Sequence, residues 1–140
     1  MRRPRSAPPT PQLAALRVDE VIDVCVDLMA SAPQDSDAAV KKEKREAWAA
    51  PGGKLPRFLT FLNDKYAAGA PFLLGGGISI ADLAVYAVVD GIQSGSYDYV
   101  PASAVDSYAA VVAAAKAVAA NEHVIAVKSA LAAEKEAAAK

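Results

Sequence analysis

The sequence holds little of the chemistry that enzymes usually concentrate in a site. Among its 140 residues there is one cysteine, Cys25, and one histidine, His123. A single thiol excludes an intramolecular disulfide and gives no support for secretion, so a reducing, cytoplasmic setting is expected. Cys25 stands between Val24 and Val26 with no basic neighbour, the setting of a small buried hydrophobe with a raised pKa rather than a nucleophile. One histidine makes neither a metal site nor a Ser/His/Asp triad, and His123 reads as a helix-start residue. No excess charge of either sign is present: 15 Lys and Arg against 16 Asp and Glu give a formal net charge of -1. That balance provides no broad basic field for nucleic acid or an anionic membrane. No apolar run reaches the roughly 20 residues that span a bilayer. The N-terminus carries no continuous apolar segment of the secretory kind.

What is present is a composition of 54% hydrophobic and 22% charged residues, that of one globular domain with a real core. Residues 1–12 combine Arg2, Arg3 and Arg5 with Pro4, Pro8, Pro9 and Pro11, which predicts a disordered basic tail. From Leu13 to Met29 the residues Leu13, Leu16, Val21, Val24, Cys25 and Leu28 recur at helical spacing, with Asp19, Asp23 and Asp27 on another stripe. Ser36 and Asp37 are placed to cap a second helix, whose charged run from Lys41 to Glu46 reads as a solvated face before Trp48 and the stop at Pro51-Gly52-Gly53.

A third helix is expected from about Pro56 to Tyr66, ended by Gly69 and Pro71, and a fourth from Ser79 to Ile92, apolar nearly all round and so central. Val105 to Ala119 predict a fifth and Val124 to Leu131 a sixth. Residues 134–140 form helix readily but carry no apolar stripe, so fraying is expected there. Nothing alternates with period two. The expected fold is therefore all-α, a bundle of about six helices over residues 13–133.

One segment carries more than periodicity. In Phe72-Leu73-Leu74-Gly75-Gly76-Gly77-Ile78-Ser79-Ile80-Ala81-Asp82-Leu83, Ser79 and Asp82 have the spacing of a capping box, with Ile78 and Leu83 as its hydrophobic staple. The three glycines lack the G-x-G-x-x-G pattern and follow no predicted strand, so they read as a turn and not as a phosphate cradle. This segment resembles the signature of the glutathione transferase C-terminal domain. Leu16 to Asp23 resembles the opening of that domain's first helix, Leu55 to Tyr66 the helix before the signature, and Tyr108 to Leu131 its closing pair. The opening and Met29 at the helix end are most similar to the sigma class. The chain departs from the family in having no proline at the start of either of the last two helices.

The resemblance implies a substrate-pocket and dimer-forming half of an enzyme that conjugates glutathione to hydrophobic electrophiles. Asp23 matches the residue that reaches across the dimer to the ammonium of glutathione, a charge-assisted contact. Met29, Ala84 and Val88 match positions lining the pocket of the second substrate. Each also has a plain reading, Asp23 as a solvated carboxylate and the other three as core. Asp19, Asp23 and Asp27 together are a poor metal site without further ligands. No catalytic residue, cofactor or metal is expected in this chain, glutathione being a co-substrate of the full-length family, whose thioredoxin-like half has no counterpart before residue 13. The alternative is a non-catalytic module of the same fold that binds another protein.

Overall fold

The structure, a computed structural model, describes residues 10–66 and 70–139. Residues 1–9, most of the basic tail, and Gly69, the expected end of the third helix, lie outside the described residues. Six α-helices and no strand occur among the described residues: α1 (Pro11–Ser31), α2 (Ala38–Ala49), α3 (Lys54–Lys65), α4 (Ile80–Gln93), α5 (Ala109–Ala119) and α6 (Glu122–Ala138). The fold is the expected all-helical bundle.

Local chemistry sets the starts of these helices. Thr10 accepts from the Leu13 N–H at 3.3 Å and Pro11 occupies a first-turn position whose N–H would be unpaired, so α1 takes in Pro11 and Gln12 ahead of Leu13. Asp37 accepts from the N–H groups of Ala39 and Val40 at 2.9 and 3.0 Å to begin α2, and Asn121 does the same for His123 and Val124 at α6. The fifth helix starts later than its periodicity predicts. Ala102–Val105 form a 3-10 turn with Val105 buried, and α5 begins only at Ala109.

Gly53 explains the sharp turn between α2 and α3: a Cβ there would lie 2.4 Å from the Trp48 carbonyl oxygen and 2.6 Å from that of Ala47. Only glycine tolerates that approach.

Helix α4 is the centre. It packs chiefly against α5 and α1, with Ala81, Asp82, Val85, Val88, Val89 and Ile92 all buried. Val21, Cys25 and Leu28 come to it from α1, Leu55, Leu59 and Leu62 from α3, and Val111, Ala114 and Ala115 from α5. Each fully buried Leu, Ile or Val contributes about 1.5–3 kcal/mol relative to exposure. Helix α6 stands apart: no residue of it is buried, it leaves α5 at 72°, and Ile125, Val127 and Leu131 are each more than half exposed. No single helix among the described residues is long and apolar enough to cross a membrane.

Candidate functional site

The one buried carboxylate among the described residues is Asp82, and four hydrogen bonds converge on it. Its Oδ2 accepts from the Ser79 N–H at 2.8 Å and from the Ser79 hydroxyl at 3.0 Å. Its Oδ1 accepts from the Tyr66 hydroxyl at 2.9 Å and the Leu73 N–H at 3.0 Å. Ser79 and Asp82 thus form the capping box of α4, and the Ser79 hydroxyl in addition donates to the carboxylate. The same carboxylate ties the end of α3 and the loop between the helices to the start of α4. Burial first, and the Asp82 charge second, hold the Tyr66 phenol far above its ordinary pKa, so Tyr66 is a permanent donor. Ile78 and Leu83, the staple pair, both stay partly exposed.

The positions implied by the resemblance are spread over three environments. Asp23 is exposed on α1, as are Asp19 and Asp27. No group of three or more His, Cys, Asp or Glu is placed to hold a metal ion among the described residues. Met29 is 40% exposed, Ala84 is half-buried against the core, and Val88 is fully buried within it. Two clefts among the described residues are lined by other residues. One, of about 390 Å³, lies between α1 and α3 and is walled by Val24, Ser31, Lys54, Arg57, Phe58 and Phe61. Another, of about 460 Å³, lies beside the N-terminal half of α1, between Leu13, Leu16, Arg17 and Glu20 on one side and Asp64, Lys65 and Leu73 on the other.

Arg45 corrects the reading of Lys41 to Glu46 as a wholly solvated face, for its side chain is 2% exposed. It donates to the Pro33 carbonyl at 2.8 Å and the Asp98 carbonyl at 3.4 Å, with its guanidinium carbon 5.7 Å from the centroid of the Tyr97 ring. Trp48, three residues on and on the same face, meets Tyr97 at 5.7 Å and donates to the Ser31 hydroxyl at 2.9 Å. The spacing of Arg45 and Trp48 was the available signal. Helix α6 has a comparable clasp: Lys128 donates to the Tyr86 hydroxyl at 2.5 Å, lies over that ring at 5.3 Å and sits 3.8 Å from Asp90. That hydrogen bond, then Asp90, raises the Lys128 pKa. Cys25 is walled into the core, and burial pushes its thiol up to about 12, which makes it inert near neutral pH.

A central helix apolar nearly all round, started by a buried Ser-x-x-Asp cap and flanked by long amphipathic helices, defines an all-helical domain of the glutathione transferase kind. The sequence matches the family model for the glutathione S-transferase C-terminal domain over residues 24–128. The chain belongs to that family. No curated protein and no solved structure matches it.

Proposed function

We propose that this chain is the hydrophobic-substrate and dimerisation half of a sigma-like glutathione transferase, and that glutathione is activated by a thioredoxin-like half outside these 140 residues. The apolar surface left on α1 and around the start of α4 carries this reading. Leu13, Leu16, Val26 and Met29 on α1, with Ile78, Ile80 and Leu83 at α4, are all exposed although the core beneath them is complete. Apolar surface beyond the needs of a core marks an interface or a substrate wall. Met29 and Ala84 supply pocket wall, Val88 backs it from the core, and Asp23 is free to face a second subunit's glutathione. The reading places the protein in the cytoplasm and makes it a homodimer.

Conjugation of 1-chloro-2,4-dinitrobenzene with glutathione tests this. The 140-residue chain alone is expected to show none, because no group among its described residues is poised to lower the thiol pKa of glutathione. Fused behind a glutathione-binding thioredoxin-like domain of a sigma transferase, it is expected to support turnover, and Met29→Ala is expected to alter KM for the electrophile more than for glutathione. Turnover by the chain alone, or none from a folded fusion, sinks the reading.

Helix α6 favours a second reading, a non-catalytic protein-interaction module. A helix of 17 residues with none buried and with Ile125, Val127 and Leu131 exposed is a surface that another protein could cover. A folded fusion without activity, together with a binding partner lost on Leu131→Asp, would select it.

A further inference from the structure

A further cleft opens where α4, α5 and α6 meet, and its rim is polar on all three sides. Val89 of α4 with Val112 and Ala115 of α5 make an apolar floor, Val89 and Ala115 being buried. Asp90 and Gln93 come to the rim from α4, Lys116 from α5 and Lys128 from α6. Lys128 is committed, for it donates to the Tyr86 hydroxyl at 2.5 Å. Its nitrogen stands 3.8 Å from Asp90 Oδ1, well beyond the roughly 2.7–2.9 Å of a charge-assisted hydrogen bond, so the Asp90 carboxylate still lacks a donor. Lys116 forms no ion pair among the described residues, although Lys41, Lys44 and Lys65 each sit within 3.0 Å of an acid. Tyr86 accepts from Lys128 and keeps its own hydroxyl proton to donate.

We propose that this cleft binds a small aliphatic zwitterion, an amino acid, with its carboxylate on Lys116, its ammonium on Asp90 and its carbon chain on Val89, Val112 and Ala115. A few convergent polar groups around an apolar floor are the usual make-up of a small-molecule site. An unpaired cation on α5 and a donor-free carboxylate on α4 select a ligand that carries both charges, since a simple anion leaves Asp90 unanswered and a simple cation leaves Lys116 so. At about 160 Å³ the cleft is far below the roughly 300–1,000 Å³ of pockets for drug-sized ligands, which limits the occupant to a short carbon chain. The site shares no residue with Asp23, Met29, Ala84 or Val88, so it does not rest on the transferase reading.

Amide-shift titrations of the full chain with two isomers, at constant ionic strength, test this. L-Norvaline carries both charges on one carbon, and 5-aminopentanoate carries them at opposite ends. One saturable site per chain is expected for at least one of them, with shifts centred on Tyr86, Val89, Val112 and Ala115. Tighter norvaline identifies an α-amino acid as the ligand, and tighter 5-aminopentanoate one with separated charges. Pentanoate and pentylammonium keep the aliphatic body and one charge each, and are expected to bind at least about tenfold more weakly than the better isomer. The same loss is expected for that isomer on K116Q and on D90N. Both side chains are exposed, so the variants are expected to keep the wild-type circular dichroism spectrum. K116Q also leaves the contacts of Lys128 in place, which separates loss of a ligand contact from loosening of α6. Saturation by neither isomer, either singly charged analogue binding as well as the better isomer, undiminished binding by a folded K116Q or D90N, or shifts centred elsewhere overturns the proposal.

Discussion

The Tyr66 hydroxyl donates to Asp82 Oδ1 at 2.9 Å, across 16 residues of chain, so the carboxylate that starts the central helix also fastens the end of the helix before it. Loss of Asp82 therefore costs more than a helix cap, which is worth about 1 kcal/mol. Asp82→Ala leaves the Tyr66 hydroxyl and the N–H groups of Leu73 and Ser79 without their acceptor, and is expected to destabilise by about 3 kcal/mol or more. Tyr66→Phe removes one donor and is expected to cost about 1.5 kcal/mol. Urea denaturation of both variants checks the order. An Asp82→Ala loss no larger than that of Tyr66→Phe would show that the carboxylate is not the hub.

Tight approach and backbone handedness are separated by two adjacent glycines. Gly52 has φ +83° with nothing within 4 Å of an added Cβ, while the Cβ of a residue at 53 would collide with the carbonyl oxygens of Trp48, Ala47 and Ala50. Gly52→Ala meets only the left-handed penalty, roughly 1–2 kcal/mol. Gly53→Ala must move backbone that also seats Trp48, and is expected to cost more, at least about 2–3 kcal/mol. The pair is compared by thermal melting, and equal losses would mean that the α2–α3 turn yields easily.

Much of this architecture is legible in the sequence, and the reasons for the exceptions are physical. Periodicity places α1, α3, α4 and α5, because each buries an apolar stripe, and Ser-x-x-Asp marks the start of α4 from local chemistry alone. Tyr66 and Leu73 as partners of Asp82 are not legible, since spacing along the chain does not say which loop folds back onto a cap. Arg45 is missed for a related reason: five charged residues between Lys41 and Glu46 hide the one whose neighbours, Pro33, Tyr97 and Asp98, arrive from distant loops. The α1–α3 cleft is not legible either, since spacing along the chain does not show that Lys54, Arg57 and Phe58 of one helix come to face Val24 and Ser31 of another.

Two buried acids, Cys25 and Tyr66, make the fold less stable as the pH rises into the alkaline range. Burial raises the Cys25 thiol from 9.0 to about 12, and burial together with Asp82 raises Tyr66 from 10.0 to still higher values. Above its ordinary pKa each group is ionised in the unfolded chain but still protonated in the fold, so the unfolded state binds fewer protons and stability falls as pH rises. The Cys25 contribution is whole below about pH 9 and declines towards about 12, with the Tyr66 contribution joining the decline above about 10. Cys25→Ala is expected to flatten the dependence of Tm on pH between 9 and 10, below the ordinary phenol pKa of the raised tyrosines. Equal slopes for wild type and variant would show that Cys25 ionises without opening the core.

Helix α6 is held to the body by a small set of contacts, of which the Lys128 clasp on Tyr86 and Asp90 reaches the central helix. A helix without buried residues gains little from tertiary packing, the usual main source of helical stability in proteins. Lys128→Ala is therefore expected to leave the cooperative melting transition of α1 to α5 where it is. Amide exchange along 124–138 should quicken by about tenfold, local opening being separable from global unfolding. High salt should weaken the Asp90 arm of the clasp and act in the same direction. If Lys128→Ala instead lowers the main transition, α6 is part of the cooperative core, and its exposed Ile125, Val127 and Leu131 would have to be explained as a face turned to solvent by a helix that the fold requires.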